Sequence, residues 1–173
     1  MSASETSLPF GPVQMLVLEF DRTRFDGEIM PELERLNESG VIRLIDLLFV
    51  TKRDGEVESH RASDLSQEEA EDFGAVVGAL VGVGAGKDLE SSADAGAEAG
   101  ADGHVIGEDE VWYLADAIPD GSSAAIALIE HRWAIPLRDK LMAADGVVLA
   151  DEWVHPADLM ALGAALTAGS EAR

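Results

Sequence analysis

The chain has 173 residues, of which 47% are hydrophobic, and this is enough apolar material for one domain with a buried core. Thirty-four acidic residues against 12 basic ones give a formal net charge of -22. Such a surface repels phosphate, which argues against nucleic acid and anionic membranes as partners. The absence of cysteine excludes disulfides, thiolate metal sites and cysteine nucleophiles.

The two ends of the chain predict little ordered structure. Residues 1–12 are rich in serine and end in Gly-Pro, so we expect a disordered leader, followed by a single domain over 13–167 and a disordered tail over 168–173. The leader lacks the basic and then apolar pattern of a signal peptide. No apolar run reaches the roughly 18–20 residues of a membrane-spanning helix. We therefore expect a cytoplasmic protein.

The first third of the chain alternates apolar runs with turn signals. Apolar periodicity predicts four elements: a strand over 13–20, a helix over 27–38, a strand over 41–52 and a strand over 57–62. Asp26 is the expected N-cap of the helix, and Gly40 is expected to end it. The Asp54-Gly55 pair is a hairpin signal between the last two strands.

The rest of the chain begins with a helix whose capping box joins Ser66 to Glu69. Residues 87–103 are rich in Asp, Glu, Ala, Gly and Ser, which predicts a flexible acidic loop that acts as a solvated tether, or as a contact for a basic partner. Five further elements are predicted: a helix over 108–118, a strand over 122–131, a helix over 133–144, a strand over 147–154 and a helix over 156–168.

This order of elements predicts an α+β fold built on a ferredoxin-like split βαβ sheet. The helix and acidic loop of residues 66–103 interrupt that unit as an insertion. The last helix, strand and helix extend it at the C-terminus.

The most distinctive local pattern is the spacing of Gly74, Gly78 and Gly82. Glycines four apart share one face of a helix and let a second helix approach backbone to backbone. Each glycine in a helix interior costs about 0.5–1 kcal/mol relative to alanine, so close packing has to offset the loss. We therefore predict a helix–helix interface along these three residues, within the chain or between subunits. The alternative is that a glycine-rich composition falls in register by chance.

Three stretches resemble a known family: 11–27, which begins Gly-Pro-Val-Gln-Met-Leu-Val-Leu and ends Phe-Asp-Gly; 43–52, Arg-Leu-Ile-Asp-Leu-Leu-Phe-Val-Thr-Lys; and 119–134, which begins Pro-Asp-Gly-Ser-Ser-Ala and ends Glu-His-Arg-Trp-Ala. Together they resemble an uncharacterised, mostly actinobacterial family of small proteins with a domain of unknown function. A broader related group carries glycine-rich apolar central helices and is often labelled membrane-associated. The resemblance covers about 11–167 and implies no activity, ligand or catalytic residue. The apolar segment here is short and flanked by acids, unlike a membrane span.

Motifs for catalysis or cofactor binding are incomplete. The stretch from Gly82 to Lys87 resembles a phosphate-binding loop, but Asp88 stands where the motif needs Ser or Thr for magnesium. No serine lies in a nucleophile elbow, and carboxylate pairs such as Glu108 and Glu110 are expected by chance among so many acids. We predict no catalytic residue and no cofactor.

Four histidines leave a metal site as an alternative. Glu130 and His131 end one predicted strand and His155 follows another, so an N/O site forms if these ends meet. Otherwise the three side chains are solvated polar groups at strand ends. Trp112, Trp133 and Trp153 lie near the ends of predicted elements, and they serve either as interface anchors or as caps of the core.

The leading hypothesis is a non-enzymatic interaction module that forms a homo-oligomer, or binds another protein, through its sheet edge or its glycine face. The alternatives are a small-molecule or metal-binding enzyme that uses strand-end Glu and His residues, and a peripheral membrane protein.

Overall fold

The computed structural model describes residues 10–171, and these contain four strands and six helices. The strands are β1 (Val13–Phe20), β2 (Ile42–Arg53), β3 (Glu56–Ala62) and β4 (Ser122–His131). The helices are α1 (Ile29–Glu38), α2 (Gln67–Gly84), α3 (Leu89–Ala99), α4 (Asp109–Ala117), α5 (Ala134–Ala143) and α6 (Pro156–Glu171). The chain divides into two compact units, of which one ends at Asp139 and the other begins at Lys140, inside the span predicted as a single domain.

The four strands form one antiparallel sheet in the order β1-β4-β2-β3. Because β1 and β2 both run antiparallel to β4, they are parallel to each other with β4 between them. The predicted α+β class is therefore confirmed, and the connection from β1 through α1 to β2 is a split βαβ unit. The ferredoxin-like topology is not confirmed, since that arrangement places the first and third strands in the middle, where this sheet has β4 and β2.

Local signals account for most element boundaries. The hairpin between β2 and β3 turns at Asp54 and Gly55, whose φ angles of 53° and 78° suit the Asp-Gly pair. The Ser66 side chain accepts from the backbone of Glu69, whose carboxylate accepts from the Ser66 N–H in return, as the capping box predicts. At α1 the predicted cap is wrong: Glu28 is the N-cap, because Gly27, with φ of 76°, separates Asp26 from the helix.

The main core lies between one face of the sheet and helix α4. Its buried side chains are Leu48, Val50, Ile106, Leu114, Ala115, Ile118 and Ala124. On the other face of the sheet, Phe25 packs edge-on against Phe20 and Phe49, with ring centroids 5.1 and 5.2 Å away. Directly opposite residues of antiparallel strands share a face, so Met15 and Val17 of β1 lie on the same face as Leu128 and Ile126, beside the main core.

Residues 89–99 of the predicted flexible acidic loop form helix α3, so that prediction is wrong. The Asp88 side chain caps the helix by accepting from the Ser91 N–H at 2.9 Å, and this hydrogen bond lowers the pKa of the Asp88 carboxyl. Four of the eleven residues of α3 are alanine, the best helix former. The small glycine and serine residues that suggested a loop instead allow α3 to pack closely against α2.

The predicted strand over 147–154 is also wrong. Residues 147–154 are irregular, because no strand pairs with them among the described residues, and a strand needs a partner for its backbone groups. Their apolar side chains are exposed, as are several of α6, including Leu159, Met160 and Leu166. The C-terminal extension therefore contains helices α5 and α6 without a strand between them.

The predicted disordered ends are partly outside the described residues, namely 1–9 and 172–173. Residues 10–12 are held in place instead: the Phe10 ring lies 4.9 Å from that of Phe73, and the Pro12 carbonyl accepts from the His131 N–H at 2.8 Å. Residues 168–171 continue helix α6.

Candidate interaction surface

The three patterned glycines of α2 face α3 of the same chain. A Cβ atom added at Gly74 or Gly78 would come within 3.0 Å of α3 backbone atoms, and one at Gly82 would collide with the side chain of Ser92. Gly96 of α3 is equally close to the backbone of Gly74. The two helices therefore form a hairpin whose axes approach as closely as the backbones allow.

The C-terminal part of α2 and the start of α3 expose apolar side chains to solvent. Residues 73–86 carry no charged side chain, and helix α2 buries only a strip of this run against its neighbours. Leu80, Val81 and Val83 are 56%, 66% and 55% exposed, and Leu89 at the start of α3 is 59% exposed. A helix that is apolar on all sides is normally buried on all sides. We name these four residues the hairpin tip.

Another apolar surface is β1. Of the strands in residues 10–171, it pairs with β4 alone, so its other edge is open. Met15 and Val17 are 66% and 59% exposed although they adjoin the core. The opposite sheet edge, β3, has the sequence Glu-Val-Glu-Ser-His-Arg-Ala, whose charges protect it from pairing with another strand.

Glu130 and His131, the candidate metal ligands on β4, point to opposite faces of the sheet, because they are adjacent in a strand. The Glu130 carboxylate is buried and accepts from the Gly11 N–H at 2.8 Å and from Nε of Arg43 at 3.0 Å. Arg43 also pairs with Glu69. The pKa of the Glu69 carboxyl is lowered, first by the Ser66 N–H that donates to it and then by Arg43.

The His131 ring lies between Gln14 and Trp133, with Nε2 3.1 Å from Oε1 of Gln14 and Nδ1 3.3 Å from the Trp133 indole nitrogen. Because the indole N–H can only donate, Nδ1 accepts and Nε2 carries the proton. Burial lowers the pKa of this histidine, which matches a neutral ring.

The third candidate ligand, His155, is exposed and its backbone N–H donates to the Asp158 carboxylate at 2.8 Å. In residues 10–171, no three His, Asp or Glu side chains lie close enough together to hold a metal ion. The three tryptophans are each half exposed or more, at 65% for Trp112, 50% for Trp133 and 52% for Trp153, so none of them is a buried core residue.

A polar cleft that the sequence did not suggest lies beside β2. The Asp46 carboxylate is fully buried and accepts from the N–H groups of Val105 and Ile106, both at 2.7 Å, and it lies 2.8 Å from Nδ1 of His104. These bonds attach the segment before α4 to an irregularity in β2 between Leu44 and Asp46. The only sequence signal was a lone acid within an aliphatic strand.

His104 lines this cleft, which has a volume of about 610 Å³. Further polar lining residues are Glu34, Arg61, Ser63, Asp64, Gln67 and Asp102. Arg61 donates to the Ile106 carbonyl and lies 3.6 Å from Asp102, which partly neutralises its charge. Because the Asp46 carboxylate can only accept, Nδ1 of His104 donates to it, and this bond fixes the orientation of the imidazole.

No described helix is both long enough and apolar enough to cross a membrane. No curated protein and no solved structure matches the chain. A family model described as a family of unknown function matches residues 9–171, nearly the whole chain. The predicted membership of an uncharacterised domain family is thereby confirmed: the chain belongs to the family of unknown function DUF6325.

Proposed function

We propose that this protein is a non-enzymatic self-association module and that copies of the chain meet through the hairpin tip. The observation that carries the proposal is the exposure of Leu80, Val81, Val83 and Leu89 on a helical hairpin whose glycine face is already filled by α3. Since the glycines of α2 already pack against α3 of the same chain, association takes place on the remaining apolar surface of α2.

The charge of the protein favours this location. Two copies with a net charge of -22 repel each other over most of their surface. The run 73–86 has no charge, so electrostatic repulsion between two copies is low along this part of α2. Interface cores are depleted of charged residues in the same way.

The exposed apolar area of the hairpin tip can offset much of the free-energy cost of association. Complete burial of a Val or Leu side chain contributes about 1.5–3 kcal/mol, so completing the burial of a half-exposed one adds about 1 kcal/mol. The four tip residues of each of two copies then contribute about 8 kcal/mol. This falls within the range of roughly 4–15 kcal/mol that association costs in lost freedom. The hairpin tip alone therefore supports a weak dimer, and a tight one needs further contacts.

Light scattering after size exclusion tests the proposal, with a mass above that of the monomer as the expected result. Val81→Gln removes apolar surface without changing the charge and should shift the mass towards the monomer. Ile29→Gln is the matched control, since Ile29 is a 51% exposed apolar residue at the start of α1 and should leave the mass unchanged. A monomeric parent protein at high concentration, or equal behaviour of the two variants, would falsify the proposal.

The alternative to self-association is that the four residues of the hairpin tip bind to the surface of a lipid bilayer. Flotation with zwitterionic vesicles distinguishes it, because vesicles without net charge do not repel the acidic chain. Self-association predicts that the protein stays behind, whereas co-flotation that Val81→Gln abolishes would indicate a membrane-binding tip.

Small-molecule binding in the cleft is a second candidate function, and a specific geometry favours it. The volume of about 610 Å³ suits a small ligand, and the buried Asp46 orients the imidazole of His104. A library of small polar compounds can be screened by NMR shifts of the His104 ring, with His104→Gln as control. If no compound shifts that ring at millimolar concentration, this candidate is removed.

A further inference from the structure

We infer that β1 is a second self-association surface, where it pairs antiparallel with β1 of a second copy, with Met15 opposite Val17. The inference rests on the proposed self-association and adds a contact that the hairpin tip does not provide. It would join two four-stranded sheets into one continuous sheet.

The open edge of β1 has free hydrogen-bonding capacity at alternate residues. The Pro12 carbonyl accepts from the His131 N–H, and the register continues from Val13 opposite Glu130 to Phe20 opposite Ser123. In an antiparallel pair, the residues that bond to the partner strand alternate with residues whose N–H and C=O point away from it. Counting from Pro12, four residues direct their backbone groups to the open edge: Val13, Met15, Val17 and Glu19.

The composition of β1 suits a second copy better than a charged partner. Residues 13–20 contain one charged side chain, Glu19, and no lysine or internal proline, so the usual protection of an edge strand is missing. A basic peptide would find one carboxylate on this strand. A second β1 has the same apolar surface and the same spacing of donors and acceptors.

We call outward those residues whose backbone N–H and C=O point to the open edge of β1. The register follows when the outward residues of one strand lie opposite the outward residues of the other around a two-fold axis. When Met15 faces Val17 of the second copy, Val13 faces Glu19, so all four outward residues of each strand are paired. If the register shifts by two residues in either direction, one of the four outward residues of each strand lies opposite a residue outside β1. If the register shifts by one residue, the outward backbone groups of one strand lie opposite residues of the second copy whose backbone groups already bond to β4.

This register also keeps like charges apart and covers apolar surface. The two Glu19 side chains lie six residues apart along the joined strands, about 20 Å at 3.3 Å per residue. That separation exceeds the screening length of about 8 Å at physiological salt. Met15 and Val17 of both copies meet at the axis and extend the apolar face that includes Ile126 and Leu128.

The absence of cysteine from the chain makes a direct test possible. Leu16 lies on the two-fold axis of this register, opposite Leu16 of the second copy, in a pair without mutual hydrogen bonds. The Cα atoms of such a pair are about 4.5 Å apart, within disulfide range. The Leu16→Cys variant should therefore form a covalent dimer under mild oxidation.

Leu18→Cys is the matched control, because it lies on the same face of the same strand and is more exposed. In the inferred register, position 18 lies opposite Gln14 of the second copy. The two Cα atoms at position 18 are then about 13 Å apart, too far for a disulfide. Random collision would cross-link Leu18→Cys at least as fast. Rapid cross-linking at position 16 alone supports the inference, and equal rates or none at position 16 overturn it.

Light scattering of the parent protein separates this inference from the proposed function. If the parent protein is an oligomer and its Leu16→Cys variant does not cross-link, the proposed self-association stands and the inferred strand pairing is refuted. A monomeric parent protein refutes both. If Leu16→Cys fails to fold, hydrogen exchange on the parent protein decides. Slow exchange of the Met15 and Val17 amides that increases with protein concentration supports pairing, and protection independent of concentration shows that something within the chain covers the edge.

Discussion

The Gly78→Ala substitution tests how closely α2 and α3 pack. The added Cβ would lie within 3.0 Å of the Ser92 carbonyl oxygen and the Gly96 Cα, which are both backbone atoms of α3. A rotating side chain cannot relieve that collision, so the helices have to separate. Overpacking of this kind costs about 1–3 kcal/mol. The gain in helix propensity returns about 0.5–1 kcal/mol.

We therefore expect Gly78→Ala to lower the free energy of unfolding by about 1–2 kcal/mol. Gly84→Ala is the control within the same helix, because a Cβ there meets no atom within 4 Å. It should leave stability unchanged or raise it by up to about 1 kcal/mol. Urea unfolding followed by circular dichroism measures both variants, and hydrogen exchange of α3 amides localises the effect. If Gly78→Ala were as stable as Gly84→Ala, the close approach of the helices would be refuted.

Three further substitutions address the buried polar groups. Asp46→Ala leaves two loop N–H groups without their acceptor, at about 1–3 kcal/mol each, so urea unfolding should show a loss of at least about 2 kcal/mol. Glu130→Ala leaves the Gly11 N–H without its acceptor, while Arg43 keeps its pair with Glu69, so the substitution should cost about 1–3 kcal/mol; a loss well below about 1 kcal/mol would mean that the Glu130 bonds are dispensable. His131 has a pKa lowered by burial, so the unfolded chain binds its proton first and stability falls as pH drops below about 6.5. Thermal unfolding between pH 7 and 5 should accordingly show a smaller decrease for His131→Gln than for the parent protein, and parallel curves would contradict the assignment.

Local sequence signals determined the elements whose boundaries depend on neighbouring residues. The alternation and apolar content of 13–20 and 122–131 predicted β1 and β4 with the observed bounds. The Ser66 capping box and the Asp54-Gly55 turn formed as predicted, because a cap or a tight turn is completed within four residues. The glycine spacing identified the face of α2 that a neighbouring helix approaches.

Tertiary structure decided the features that need a distant partner. Residues 89–99 have a local N-cap and four alanines, but the place of their glycine and serine in a helix depends on α2, whose glycines leave room for Gly96 and Ser92. Residues 147–154 have the composition of a strand, but a strand without a pairing partner leaves its backbone groups unsatisfied. The role of Asp46 is equally hidden, since its hydrogen-bonding partners follow it by about sixty residues. Sequence patterns record what a residue does with its neighbours in the chain, whereas sheet order and buried polar contacts depend on where the chain returns.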